Sequence, residues 1–482
     1  MGSLADLLGK IPRSLAGLLG LGSEPTGPVG RLGKQCVLIA VTFCELLLNL
    51  DPRMLRDYFD LPLSVRILCV GSLINRAGSF VVIFLTIYAS EQLNFGVSFA
   101  TACVGVLGLG AMVGSIVGGH LADLIGRRTV MLIALLGGAL MLLIVGWQTN
   151  RWAFMLAVGA FSSLAEMYRP AASAMIADVV TVKQRAHAFA LMYIAINLGF
   201  AIAPTLGGAL ASYSFQLLFV GDAVTMSAYG VIVLLMIKEA LPSETLPSET
   251  LPSETGKRST AKPGVANGRS EQRGGGRRVT LREAVRHAVV DLPFMGFCFA
   301  TLLISLVFMQ CMSTLPIYIR SCGYSNLEFG LLMSINGILI FILQLPVTQY
   351  LSRFNAMSTV LAGGILIAIG FGITGAGVGI AFLTLTICIW TVGEILQSPF
   401  KHAIVTQLAP INLRGRYLGI YSMSYALALT IGAPAGGEIL TRLGSGKLWL
   451  ISAFVSALAV LVYALIHRSV TVRVATAMAD EA

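Results

Sequence analysis

Gly118 to Thr129 reads GGHLADLIGRRT, and the fold turns on how this stretch is read. An apolar run ends here, the chain turns within a few residues, and a new apolar run starts at Val130. Gly119 is expected to let the chain and a neighbouring helix approach closely, and Gly126 to supply the freedom for a tight turn. Asp123 falls at a helix end, while Arg127 and Arg128 mark the membrane face on which the turn lies.

Composition agrees with a chain built from such runs. The 482 residues are 56% hydrophobic and only 12% charged, with a mean hydropathy of +0.83. A soluble domain carries about 25% charged residues, so this chain cannot cover its surface with polar groups in water. Apolar runs of about 18 residues or more recur, which predicts an all-α polytopic membrane protein. The net charge of +10 would point to nucleic acid in a soluble protein. Here Lys and Arg concentrate in alternate loops: Arg127 and Arg128, Lys183 and Arg185, the segment 257–286, Arg414 and Arg416, then Arg468 and Arg473. The other loops hold mainly Arg151, Arg320, Arg442 and Lys447. The positive-inside rule then puts both termini and the long central loop in the cytoplasm of a cell that holds the chain in its inner or plasma membrane. The charge therefore reads as topology, with no nucleic acid as partner. The cysteines show no C-x-x-C spacing and sit mostly in apolar runs, so neither a disulfide framework nor a metal site is expected.

Twelve spans are predicted, at 65–90, 97–121, 129–148, 152–179, 188–213 and 215–237, then 294–318, 327–351, 357–376, 377–407, 416–440 and 447–467. They form two bundles of six, at 65–237 and 292–467, with a tail at 468–482. Residues 1–64 form an extension in which Val37 to Leu50 is apolar but short for a span and contains Glu45. A thirteenth span would invert every later loop, so this piece reads as an interfacial or packed cytoplasmic helix. The linker 238–291 opens with LPSET three times over and continues Gly- and Arg-rich, a composition that cannot bury enough apolar surface to order itself. Its end, from Thr280 to Val290, has helical spacing suited to the membrane surface. The halves also repeat each other. Pro170, Ala174, Arg185, Gly207 and Gly208 recur 229 residues later as Pro399, Ala403, Arg414, Gly436 and Gly437.

With these spans around it, the opening stretch resembles the motif of the major facilitator superfamily, G-x-x-x-D-(R/K)-x-G-R-(R/K). Gly119, Asp123, Gly126, Arg127 and Arg128 match, and Leu124 stands where a basic residue is usual. The resemblance covers about residues 65–467. It implies two pseudo-symmetric parallel halves with the substrate site between them near the midplane, lined by spans 1, 4, 7 and 10. It further implies that Asp123 faces the start of span 11 and that Arg127 bridges to Asp178. Such a lock would favour the outward-facing state and break on inward opening.

Span 5, with Met192, Tyr193, Ile196, Asn197 and Gly199, is similar to the F-Y-x-x-I-N-x-G pattern of proton-coupled oligopeptide transporters. Gly393, Glu394, Ser398 and Pro399 in span 10, and Arg169-Pro170 in span 4, resemble the same family. Their E-x-x-E-R-F motif falls on Ser72, Asn75, Arg76 and Ala77, where only the arginine survives and both glutamates are missing. The intact 119–128 motif, and Pro204 with Gly207 and Gly208, look more like drug:proton antiporters.

Charges inside spans cost at least about 2.5–3.5 kcal/mol each near the bilayer centre and are functional candidates by default. Glu166, Glu394 and Asp222 are the candidates for proton coupling, and Arg76 and Arg169 for cavity charges. Glu166 and Arg169, three apart, share a helix face; one reading is a local ion pair, the other that Arg169 or Arg76 competes for Glu166 and changes its proton affinity. Glu394 stands alone on its helix, with Gln397 one turn away and Lys401 and His402 further on. Asp222 is expected at a helix end or water. Asn75, Tyr193, Asn197, Gln310, Asn336 and Gln397 offer polar surface, either for interhelix packing or as a cavity lining for an amphipathic organic substrate.

No nucleotide-binding sequence, metal-ligand cluster or nucleophile elbow appears, so no enzyme, no cofactor and no ATP-driven pump is expected. The functional expectation is a monomeric secondary transporter exporting a small amphipathic compound against protons. Its alternatives are proton-coupled uptake of a peptide-like or other metabolite, and a transporter-like sensor or scaffold.

Overall fold

The computed structural model describes residues 61–237, 281–410 and 413–481. The expectations for the N-terminal extension and the LPSET repeats lie outside these residues. Among the described residues, eleven helices are long and apolar enough to cross a membrane. They are α1 (Leu63–Gln92), α2 (Val97–Ile125), α3 (Arg127–Trp147), α5 (Val182–Tyr213), α6 (Gln216–Met236), α7 (Leu292–Ser321), α8 (Asn326–Leu351), α9 (Ala356–Ala376), α10 (Ile380–Leu408), α11 (Arg414–Leu443) and α12 (Ser445–Glu481). The twelfth, α4, comes in two pieces, Arg151–Glu166 and Tyr168–Val179. Pro170 causes the break: it has no N–H to offer the Glu166 carbonyl four residues back. Among the described residues the chain is thus all-helical, with twelve spans of a membrane protein.

Helices α1 and α7 are also interrupted, at nearly equivalent places. The first piece of α1 stops at Ala77 and a second starts at Phe80. In α7 a tight turn at Met309–Cys311 separates Leu292–Phe308 from Thr314–Ser321. Pro399, in contrast, sits inside a continuous α10. The carbonyl it leaves without an N–H, that of Ile395, accepts from Gln344 Nε2 on α8 at 3.2 Å, which is how a membrane helix tolerates proline.

The halves meet along two pseudo-equivalent seams, α5 on α8 and α2 on α11. Gly208 lies against the backbone of Asn326 and Leu327, and Gly437, its counterpart 229 residues on, lies against Thr101. Thr205 bonds Ser334 through its hydroxyl at 2.7 Å, while the corresponding place on the other seam packs Gly105 against Pro434. Small residues let these backbones approach closely.

Both seams are tied at the side away from the linker. There Glu91 of α1 pairs with Arg320 of α7, Phe84 meets Phe329 edge-on at 5.2 Å, and Ser98 donates to Glu438 at 2.8 Å. On the linker side, the first pieces of α1 and α7 pack substantially only within their own halves, and no substantial packing joins α4 to α10 among the described residues. The molecule is closed on one side and parted on the other.

One boundary differs from expectation and another agrees with it. Helix α12 runs without interruption past 467 to Glu481, so the segment 468–481 continues the helix. Arg473 accounts for part of this, because it pairs with Asp291 at the start of α7. The end of the linker is helical over Leu281–Val290, as its spacing predicts.

Candidate functional site

The break in α1 places Arg76 at the end of a helical piece, beside the break in α4 that carries Arg169. Both line a pocket of about 100 Å³, together with Ser72, Asn75, Tyr168 and Met192. The Arg76 guanidinium lies over the Phe200 ring at 5.5 Å. Behind it, Tyr168 bonds Ser72 at 2.6 Å and Tyr229 at 2.8 Å, and Tyr229 donates to the Leu68 carbonyl at 3.1 Å. This buried hydroxyl cluster ties α1, α4 and α6 and fixes the wall against which Arg76 sits.

Glu166 pairs with Arg169 at 3.5 Å, with Arg76 within electrostatic reach of both. Glu166 itself does not line the pocket. Asn197 donates to the Tyr193 carbonyl in its own helix at 2.8 Å. Asp222 is buried, and its carboxylate accepts from the Val81 N–H at 3.3 Å. That N–H opens the second piece of α1, where helix ends carry unpaired donors.

In the other half Glu394 accepts from Asn336 Nδ2 at 3.0 Å, and the same nitrogen reaches Thr391 Oγ1 at 3.1 Å. Glu394, alone on its own helix, therefore takes its hydrogen-bond partner from α8 of the same half. It lines a pocket of about 60 Å³ with Ser305, Gln397, Ser398, Lys401 and Tyr425. Lys401 is only 3% exposed. Sequence reasoning left it out of the intramembrane charges, although seven residues on a helix bring it back to the face of Glu394. Gln397 is buried and donates to the Val360 carbonyl at 2.8 Å.

Of the two readings open for Gln310, its hydrogen bonds favour interhelix packing. Its amide nitrogen serves the Leu306 and Gly432 carbonyls at 2.9 and 2.8 Å, and its oxygen accepts from Ser313 and Thr314 at 3.3 and 2.9 Å. All its capacity goes to bridging the interruption in α7 and pinning it to α11.

The arginine pocket is lined by the first half and the glutamate pocket by the second. Tyr193 reaches across, with its hydroxyl 3.5 Å from Gln344 Oε1 and in electrostatic range of Glu394.

At the opening motif, Gly126 has φ 93° and ψ 151°, a conformation essentially restricted to glycine. Arg127 pairs with Asp178, and Arg128 donates to the Leu234 carbonyl at 2.6 Å near the end of α6. The Arg127–Asp178 pair lies within one half and is intact while the halves are parted on this side, so it does not break with that opening. Asp123 is exposed at the end of α2, the helix that packs on α11. The close approach assigned to Gly119 belongs to Gly118. A Cβ there would stand 2.5 Å from Met167 Cα, whereas one on Gly119 would meet only Pro170 Cβ at 3.8 Å.

The family model described as Major Facilitator Superfamily matches residues 68–433. The chain is 26% identical over 391 residues to the uncharacterized MFS-type transporter YqjV of Bacillus subtilis (strain 168), covering 80% of this chain and 88% of that protein. It is 24% identical over 428 residues to a Na(+), Li(+), K(+)/H(+) antiporter of Planococcus maritimus, covering 83% and 95%. With the multidrug resistance protein MdtH of Escherichia coli O1:K1 / APEC it shares 22% over 323 residues, covering 67% and 72%. Among solved structures, a peptide transporter POT in complex with sulfate superposes with a TM-score of 0.68 at 16% identity, covering 87% of this chain and 99% of that one. At that identity the likeness is one of fold.

Proposed function

Because the chain belongs to the major facilitator superfamily and is a multi-pass membrane transporter, we propose that it exports a small amphipathic organic compound in exchange for protons. The two halves rock about their seams, exposing the pockets first to one side and then to the other. The positive-inside rule assigns the linker side to the cytoplasm, so the parted face is the inward-facing one.

One observation carries the reading: ionisable side chains of both halves lie inside the spans, Arg76 and Arg169 in one pocket and Glu394 and Lys401 in the other. Charges are retained at that depth at a cost and mark substrate or ion paths. In this scheme Glu394 is the proton carrier. Protonation discharges the group that Asn336 and Lys401 now compensate, so proton and substrate compete for one carboxylate. The drug-antiporter features of the motif and the antiporter and multidrug relatives support export.

The test is a substrate screen in sealed vesicles with an imposed proton gradient, run beside Glu394→Gln. A compound expelled against its gradient only when protons flow the other way, with loss in the variant, is the expected result. Accumulation with the gradient would replace export by uptake, and undiminished coupling in Glu394→Gln would remove Glu394 from its role. The screen includes Na(+), Li(+) and K(+), because the antiporter relative makes cation exchange the second reading.

A further inference from the structure

A third cavity, a cleft of about 700 Å³, opens on the linker side between the linker helix, the start of α7 and the end of α12. Arg286, His287, Val290, Asp291, Leu292 and Arg473 line it. Its one carboxylate is already used. Asp291 has a side chain only 4% exposed; it accepts from Arg473 Nη1 at 2.7 Å and from the Tyr417 hydroxyl at 3.0 Å. Because Tyr417 donates to Asp291, its oxygen is left to accept from His287 Nδ1 at 2.9 Å. This relay clasps the linker helix onto α7, α11 and α12, and Arg473 adds a bond to the last turn of α10, at the Leu408 carbonyl, 3.0 Å away.

What the cleft offers a ligand is therefore cationic: the exposed Arg286 and the N–H groups of Arg473 not spent on Asp291 or Leu408. Beside those charges the surface is apolar. Val289, Val290 and Leu292 are 54%, 70% and 79% exposed. They lie where α7, one of the helices long and apolar enough to span a membrane, begins. Guanidinium groups next to exposed aliphatic side chains there fit a phosphate diester that carries its own hydrocarbon.

We propose that this cleft binds the headgroup of an anionic phospholipid, with Arg286 and Arg473 on the phosphate and the acyl chains along Val290 and Leu292. A free phosphate would leave that apolar rim unused. The inference does not depend on the transport reading, because the cleft lies outside both pockets assigned to it.

The experiment takes the full chain from nanodiscs of phosphatidylglycerol, phosphatidylcholine or both, and counts retained lipids by native mass spectrometry. Wild type is expected to keep one phosphatidylglycerol that phosphatidylcholine does not replace. Arg286→Gln should weaken that retention about fivefold, the loss expected for one basic side chain near an anionic surface, while Arg286→Lys keeps most of it. Equal retention of the two lipids, or an unchanged Arg286→Gln with an unaltered melting point, would overturn the proposal. Displacement of the lipid by millimolar inorganic phosphate would overturn it too, in favour of a soluble anion.

Discussion

Glu91 and Arg320 stand 229 positions apart, the offset that relates the two halves, and they form a forked ion pair across the boundary between them. Arg320 Nε lies 3.2 Å from both carboxylate oxygens and Nη2 lies 2.9 Å from one. One position of the repeat thus carries opposite charges in its two copies, and they meet only while this side is closed.

Removing the pair should tilt the balance between the two open states. The side chains are 40% and 26% exposed, so solvent screening limits the bond to about 0.2–1 kcal/mol. Arg320→Gln is therefore expected to raise the population open on this side by up to about fivefold, read from spin-label distances between α1 and α7. The charge-reversed double variant, Glu91→Arg with Arg320→Glu, should restore the distribution. If it behaves as Arg320→Gln does, the pair is not a latch.

Lys401 should matter through Glu394. Lys401→Met removes the cation that shares the Glu394 pocket and leaves the carboxylate with Asn336 alone. Gradient-driven transport is expected to fall and its pH profile to move, whereas a lysine that only packs would leave the profile in place.

The glycines of the opening motif should separate. Gly126→Ala forces a side chain into a backbone region that costs about 1–3 kcal/mol, and Gly118→Ala drives a methyl into the α4 backbone. Both should lower the melting temperature in detergent. Gly119→Ala, with its nearest neighbour at ordinary contact distance, should change it little.

Arg127→Ala breaks the bond to Asp178 that ties α3 to α4. Transport is expected to drop while substrate affinity, measured by equilibrium binding, stays near wild type, because neither residue lines the arginine or the glutamate pocket. A collapse of affinity would place Arg127 in the binding site.

Asp222 should prove structural. Asn retains an oxygen for the Val81 N–H, whereas Ala leaves that buried donor empty at a cost of about 1–3 kcal/mol. Asp222→Asn is thus expected to transport and Asp222→Ala to unfold early. An inactive but stable Asp222→Asn would return the residue to the proton path.

The fold was legible in the sequence because it rests on properties the chain carries locally. Apolar runs set the spans, basic loops alternate, and the 229-residue offset announces two like halves whose seams obey it down to Gly208 and Gly437. Glycine at 126 was readable for the same reason, since a turn of that kind constrains one residue. Pairings were not readable, because they depend on which helix faces meet. Asn336 on α8 and Glu394 on α10 are 58 residues apart and nothing local links them. Gln310 suited either a cavity or interhelix packing until the interruption in α7 claimed its hydrogen bonds, and Gly119 held the motif position while Gly118 held the contact. Hydropathy and spacing are summed along one dimension; burial, partners and the closing of one side are decided by how twelve cylinders rotate and lean against each other.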